Sequence, residues 1–270
     1  SPSSASPWRV TVRLSDAACH GPPFGLVVFD FALDVATEDD ARLAAQLAEI
    51  GRDAAAPMLA AAVDSGPARP SYEAWRRSEA ACFLALCFPA FEIHRSSQGV
   101  LHAHGSWLAA GVAARAFARH RMCSPLFGSV GPLVLAGAMD VEEARARGIL
   151  TFAETPAGAT LASDATCRRH PDSVATSLAY AAVVSRACHL ILDIDLRAGP
   201  ERDTVRWLER TNARLAARTA GVDGMRLQVE DVEPIGSDRL RATLVAKLPS
   251  PVHRDGVVCR SIVSLRVEPH

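Results

Sequence analysis

The sequence predicts an α/β (α+β) fold: a mixed β-sheet flanked by helices, followed by a C-terminal antiparallel segment. Three observations carry this. The apolar, β-rich run LVVFDF (26–31) is followed by a helical pattern and then by a second apolar run, APMLAAAV (56–63). Strand, helix and strand in that order make an α/β unit. Two further stretches, 101–120 and 174–196, repeat apolar and small residues at helical spacing. Near the C-terminus MRLQVEDVE, DRLRATLVAKL and VVCRSIVSLRVE alternate at period two between turn-forming segments, which is the pattern of an antiparallel meander.

Taken in order, SPSSASP opens the chain as a flexible leader, and WRVTVRL (8–14) alternates as a short strand does before HGPPFG breaks it. LVVFDF then reads as a buried strand. Thr37 followed by Glu38, Asp39 and Asp40 is a helix start, and Leu43, Leu47 and Ile50 recur at helical spacing until Gly51. APMLAAAV is the second strand, and SGPARP (65–70) is a linker. SYEAWRRSEAACFLALCFPAF (71–91) passes from a charged patch into an apolar run, and predicts a short helix leading into a buried strand that Pro89 ends for want of an N–H. On the helical part Arg76 and Glu79 lie three apart, spaced to pair at the boundary of core and surface.

In the helix expected from Leu101 to His120, Trp107, Ala110, Gly111, Ala114 and Phe117 share the packing face. PLVLAG (132–137) and GILTFAE (148–154) are brief strand candidates in a Gly-, Pro- and Thr-rich region. A long helix is expected from Val174 to Leu196, stopped by Gly199 and Pro200, and another from Glu201 to Arg218. The expected organisation is a leader and short strand (1–20), an α/β core (21–200), and a helix with antiparallel strands (201–270) packed on that core.

Composition narrows the function. The 270 residues are 49% hydrophobic and 22% charged with a formal charge of −1, so neither nucleic acid nor an anionic membrane is an expected partner. Lys247 is the sole lysine, which leaves no lysine for a phosphate-gripping loop. Seven scattered cysteines without a CxxC pair point to a reduced, cytoplasmic protein, and no apolar run reaches the length of about 18 residues that spans a bilayer. The N-terminal residues lack the basic start and apolar stretch of a signal peptide.

Chemistry-bearing clusters are sparse. His102-x-His104, His120-x-x-Cys123, Cys167-x-x-His170 and Cys188-His189 bring ligand types together. A zinc site from Cys167, His170, His120 and Cys123 satisfies the count, but unrelated loop residues explain the spacing better. Asp193 and Asp195 have no third acidic partner in sequence. Cys87 or Cys123 with a remote histidine is the nucleophile alternative, set against inert core cysteines. GxSxG, GxGxxG, HExxH and Walker patterns are all absent. The expectation is a non-enzyme with no catalytic residues, no cofactor and no metal.

Several segments in one order say more. PFGLVVFDFALD (23–34), a helix, and AAAPMLAAA (54–62) resemble the PFG-x-L-x-x-D-Y-x-F, helix, A-x-A-P-F-x-A-A-A series of the large sheath subunit of the type VI secretion apparatus, the TssC (VipB, EvpB) family. Trp75, Arg76, Ser78, Glu79, Phe83, Leu86, Pro89 and Phe91 resemble that family's W…R-x-S-E…P-R-F block. HAHGSWLAAGVAARAFARHRMCSPLFG (102–128) is similar to its L-W-G-N-A-A-Y-A-F-A helix and following turn. LAYAAVVSRACHLIL (178–192) matches its helix at Tyr180, Ser185, Arg186, His189 and Ile191. RATLVAKLP (241–249) and VSLRV (263–267) resemble its final strands. The likeness departs where the family's two arginines are Cys82 and Ala90, where the region after Gly131 is shorter, and where about twenty residues stand in place of a long N-terminal extension.

The resemblance implies a structural subunit of a contractile sheath. It would assemble in the cytoplasm with a small TssB-like sheath subunit, with copies of itself and with a tube protein, through strands exchanged between subunits. Trp75, Arg76, Ser78, Glu79, Pro89, Arg186 and His189 become its structural motif, and the strand Ile262, Val263, Ser264, Leu265, Arg266 and Val267 its interface. A non-polymerising adaptor or regulator of the same apparatus is the alternative, with a Cys/His enzyme or zinc protein behind it.

Overall fold

The computed structural model describes residues 25–120, 129–156, 158–171, 174–182, 184–185, 204–220, 226–235, 239–248 and 257–266. The fold is α+β. Strand β1 (Val27–Leu33) runs into helix α1 (Glu38–Asp53), then β2 (Met58–Ala62), α2 (Pro70–Trp75), a 3-10 turn (Ala80–Phe83) and β3 (Leu84–Phe88). A hairpin of β4 (Phe91–Ser96) and β5 (Gly99–Ala103) leads to α3 (Gly105–His120), β6 (Ser129–Gly131), α4 (Val141–Arg147), β7 (Ile149–Thr155) and β8 (Gly158–Ser163). The C-terminal elements are α5 (Thr204–Thr219), β9 (Arg226–Ile235), β10 (Arg239–Leu248) and β11 (Val257–Arg266).

Six strands form one sheet in the order β1-β2-β3-β7-β8-β6. The first four are parallel, and β8 and β6 add antiparallel to them. A parallel pair needs a crossover, and α1 supplies it between β1 and β2. Thr37 starts α1 as the sequence predicts, its Oγ1 accepting from Asp40 N–H at 3.3 Å. On one sheet face α1 and α2 pack Leu47, Ala44 and Tyr72 against Leu33, Met58, Leu84 and Leu86. On the other, α3 packs Leu108, Ala109, Val112 and Ala116 against Leu59, Ala85, Leu150 and Phe152. Covered on both faces, β2 and β3 are almost wholly buried, which is why their sequences read as continuous apolar runs.

Several expectations are corrected. Helix α3 starts at Gly105, because Leu101 and His102 belong to β5. Its packing face is turned away from the expected one: Trp107 is 50% exposed and Gly111 and Ala114 are exposed, whereas Ala110 does pack, partly buried, against the core. Helix α1 runs past Gly51 to Asp53. PLVLAG contributes only an isolated bridge between Leu135 and Phe91, whereas GILTFAE does form a strand, β7. The helix expected from Val174 begins with a 3-10 turn (Val174–Thr176), and α-helix starts at Leu178. WRVTVRL lies outside the described residues.

The C-terminal meander is confirmed, with strand order β11-β10-β9. β10 and β11 pair without interruption from Arg239↔Arg266 to Leu248↔Val257. Helix α5 packs on β9, with Leu215 and Thr211 buried. Among the described residues no helix is long and apolar enough to cross a membrane.

Candidate functional site: a buried arginine anchor and the edge strand of the C-terminal sheet

Arginine is the most water-seeking of side chains, yet Arg76 is 1% exposed, and it owes this to a set of acceptors that occupies its guanidinium. Nε donates to Cys167 O at 2.8 Å, and Nη1 donates to Ala146 O at 2.7 Å and to both carboxylate oxygens of Glu73 at 3.0 and 3.1 Å. Ala146 is in the last turn of α4, where carbonyls lack helical partners, so the guanidinium caps that helix and complements its negative end. Gly148 follows in the left-handed region (φ 70°), and a Cβ there would lie 2.7 Å from Arg76 Nη2 and 2.9 Å from Thr166 O. The arginine therefore ties α2, the end of α4 and the strap around Cys167 into one unit. Main-chain bonds from Arg169 N–H to Arg76 O and from Cys167 N–H to Leu84 O extend the tie to β3.

The expected pairing of Arg76 with Glu79 is not what forms. Glu73, one turn earlier, takes the guanidinium, while Glu79 is exposed where α2 has ended and the 3-10 turn begins. Trp75 packs its ring 5.5 Å from that of Tyr72. Ser78 continues the turn, its N–H donating to Trp75 O at 2.8 Å. β3 ends at Phe88, just before Pro89, as predicted, and the Phe88–Pro89 bond is cis. Arg186 and His189 lie outside the described residues, as do Asp193 and Asp195.

The cysteines are a packing feature. Burial pushes the Cys82 thiol up to about 12 and the Cys167 thiol up to about 11, and it raises that of Cys87 as well. A thiolate is the reactive form, so these three resist modification. With the chain folded at pH 8, Cys82, Cys87 and Cys167 are expected to stay unlabelled by iodoacetamide while denaturant exposes all three, as read by peptide mass spectrometry. Modification of any of them in the native chain within minutes would contradict this. Cys167 is buried beside Tyr72 and Arg76 whereas His170 is exposed, so the pair does not converge as zinc ligands. Cys123 lies outside the described residues. Among the described residues no group of three or more metal-ligating side chains occurs.

The second element is the three-stranded sheet, whose two edges differ. At β9 the N–H and C=O of Val229 are both taken by the side-chain amide of Asn212 on α5, at 2.7 and 2.9 Å. A register shift follows at once, leaving Glu230 opposite no residue of β10, and then come exposed Asp231, Glu233 and Pro234. Acidic side chains, a bulge, a proline and a covering helix are the devices that stop one strand from recruiting another. The expected interface strand is the other edge, β11. Ile262 to Arg266 lie in it and pair with β10 on one side, facing no further described strand on the other. Ile262 is 55% exposed, and Val267 lies outside the described residues. Asn212 escaped sequence reasoning, since an asparagine inside a helix carries no mark of the strand it will meet.

No protein-family model matches the chain, and no curated protein matches it. Among solved structures it is similar to a chain of the anti-feeding prophage baseplate, with a TM-score of 0.53 and 13% identity over 88% of this chain and 66% of that one. It also aligns with the sheath tail protein from Desulfitobacterium hafniense, with a TM-score of 0.49 and 13% identity over 88% and 57%. The chain thus spans less than two thirds of the length of either neighbour, and what it has in common with the baseplate chain is the fold.

Proposed function

We propose that this protein is a structural subunit of a contractile injection apparatus, of the type VI secretion sheath kind, and that it joins its neighbours by strand addition at β11. The fold shared with a chain of the anti-feeding prophage baseplate carries the reading. The segment order resembling the large type VI sheath subunit, and a C-terminal sheet with one edge closed and the other, at β11, facing no further strand among the described residues, support it. An open edge offers a row of unpaired N–H and C=O groups that another chain's strand can complete. On this reading the partners are a small TssB-like sheath subunit, further copies of this chain and a tube protein. The protein works in the cytoplasm as scaffold rather than catalyst.

Sedimentation and negative-stain microscopy over a range of concentrations, with and without a small type VI sheath subunit, test this. Elongated polymers or tubes are expected, and Ile262→Asp, at an exposed position on β11, should abolish them while leaving the monomer's circular dichroism unchanged. A stoichiometric complex that never grows would favour the adaptor role. A monomer that persists under all conditions would overturn both.

A further inference from the structure

Among the described residues the hairpin of β4 and β5 is a two-stranded sheet of its own, and residues 93–102 are exposed along both strands. A two-stranded ribbon is marginal in water by itself. This one also carries apolar surface: Leu101 is 57% exposed, and Val100, Ile93 and Val134 are exposed near it. Val134 belongs to the patch because its carbonyl accepts from Glu92 N–H at 2.9 Å. Single apolar residues on a surface are ordinary, whereas four gathered at one place mark a contact.

The two edges of the ribbon differ. Residues 134–136 bond to the base of β4, through Glu92 N–H and through Ala136 N–H, which donates to Ala90 O at 2.8 Å. Beyond that base the register shift between Glu92 and His94 breaks the strand. β5 has neither feature. Its five residues, Gly99 to Ala103, have partners in β4 on one side, and no described strand lies on the other. An exposed apolar edge without lysine, proline or bulge is a template for another strand. We infer that β5 pairs antiparallel with β5 of a second copy of this chain, about a two-fold axis at Leu101.

Charge favours the strand's own copy as occupant. The sequence of β5, GVLHA, contains no aspartate, glutamate, lysine or arginine, so two copies meet without like charges opposite each other. The other edge strands are less neutral: β1 contains Asp30, β9 contains Glu230, Asp231 and Glu233, and β11 contains Arg260 and Arg266. The nearest charges to β5 satisfy each other, Arg95 Nε donating to Glu92 Oε1 on β4 at 2.9 Å. The length of the strand sets the register. With Leu101 on the axis, Gly99 of one copy faces Ala103 of the other and Val100 faces His102, so every residue of β5 is paired; any other register leaves some unpaired. Two ribbons then make one four-stranded sheet, past the number of strands at which a sheet holds by itself. The contact is far smaller than the roughly 1,200–2,000 Å² of a stable interface, so the dimer is weak and forms at high concentration. A two-fold contact closes at two copies. The inference therefore goes beyond the sheath reading at β11 and does not rest on it.

Oxidative cross-linking of the full chain with copper–phenanthroline tests this, with the unsubstituted chain as reference. Residues directly opposite in an antiparallel pair have Cα atoms about 4.5–5.5 Å apart, within the span of a disulfide, whereas the two copies of residue 100 would lie about 7–8 Å apart, beyond it. Leu101→Cys should therefore form a covalent dimer at least about tenfold faster than Val100→Cys or His102→Cys alone. A mixture of the Val100→Cys and His102→Cys chains should cross-link where neither does by itself. Leu101→Asp, which sets two carboxylates face to face, should weaken self-association in sedimentation about fivefold or more, with an unchanged circular dichroism spectrum. In the Ile262→Asp background the Leu101→Cys cross-link should persist, which separates this contact from the one at β11. Its loss there would make β11 the occupant and overturn the inference. Equal cross-linking at positions 100, 101 and 102 would mark random collision, and no excess at Leu101→Cys over the unsubstituted chain would leave the edge without a copy; either result would overturn it.

Discussion

Replacing Arg76 by alanine is expected to lower the unfolding free energy by about 3–5 kcal/mol, the range for removing one partner of a buried ionic network. The main loss is at the acceptors. The carbonyls of Cys167 and Ala146 each lose a donor at under 3 Å; that of the buried Cys167 is left unsatisfied, at about 1–3 kcal/mol, while that of the exposed Ala146 can turn to water. Glu73 matters less, because its side chain keeps 34% exposure and can return to water. For a chain of this size each kcal/mol shifts the melting temperature by about 2–4 °C, so calorimetry should show a fall of about 10 °C. Arg76→Lys should recover less than half of this, since one ammonium cannot reach two carbonyls and a carboxylate in the guanidinium's fork geometry. A loss below about 1 kcal/mol would mean that water replaces the guanidinium and that the anchor is dispensable.

Gly105→Ala is the second large effect, with an expected cost of about 2–3 kcal/mol. A Cβ at Gly105 would lie 2.5 Å from Pro89 O and 3.4 Å from the Cys87 carbonyl. These are main-chain atoms of the β3 exit, so they cannot rotate aside, and α3 would have to lift from the sheet together with Leu108 and Val112. Gly111 provides the control on the same helix. It is exposed with nothing within 4 Å of its Cβ position, and alanine there should stabilise by about 0.5–1 kcal/mol through helix propensity. Urea unfolding with an unchanged m-value should show midpoints moving in opposite directions. Equal shifts would refute the close-packing argument.

What the sequence revealed depended on how local its cause was. The strand 26–31, the start of α1 at Thr37 and the three C-terminal strands rest on alternation and capping within a few residues, and all were legible, although β1 is a half-buried strand at the end of its sheet and not the buried one expected. Helix α4 was legible in principle and missed. Asp140 accepts from the N–H groups of Glu142 and Glu143, and Gly148 closes the helix in the left-handed conformation, a start and stop pair of the usual kind. The hairpin of β4 and β5 was hidden because its register shifts between Glu92 and His94, which breaks the alternation. The face of α3 was misread by giving weight to Trp107, when Leu108, Val112 and Ala116 mark the packed side at intervals of four. The anchor was not legible beyond the presence of Arg76. Two of its three partners are carbonyls, which every residue possesses, and 70 and 91 positions of chain separate them from it. The strand order was likewise out of reach, because nothing near β3 names β7 as its neighbour.

That adjacency of β3 and β7 has a kinetic meaning. β1, α1, β2 and β3 can collapse with short loops between them, but the partner that covers the far side of β3 arrives only after the hairpin, α3, β6 and α4 have been placed. Closing so long a loop is an entropic cost that precedes its reward, which puts this pairing late on the folding route. The strap around Cys167 comes later still. Contacts that form after the barrier govern how fast a protein comes apart rather than how fast it goes together. In stopped-flow experiments Arg76→Ala should therefore steepen the loss of the native state, raising the unfolding rate while leaving the refolding rate almost untouched. The buried arginine then acts as a latch on native lifetime.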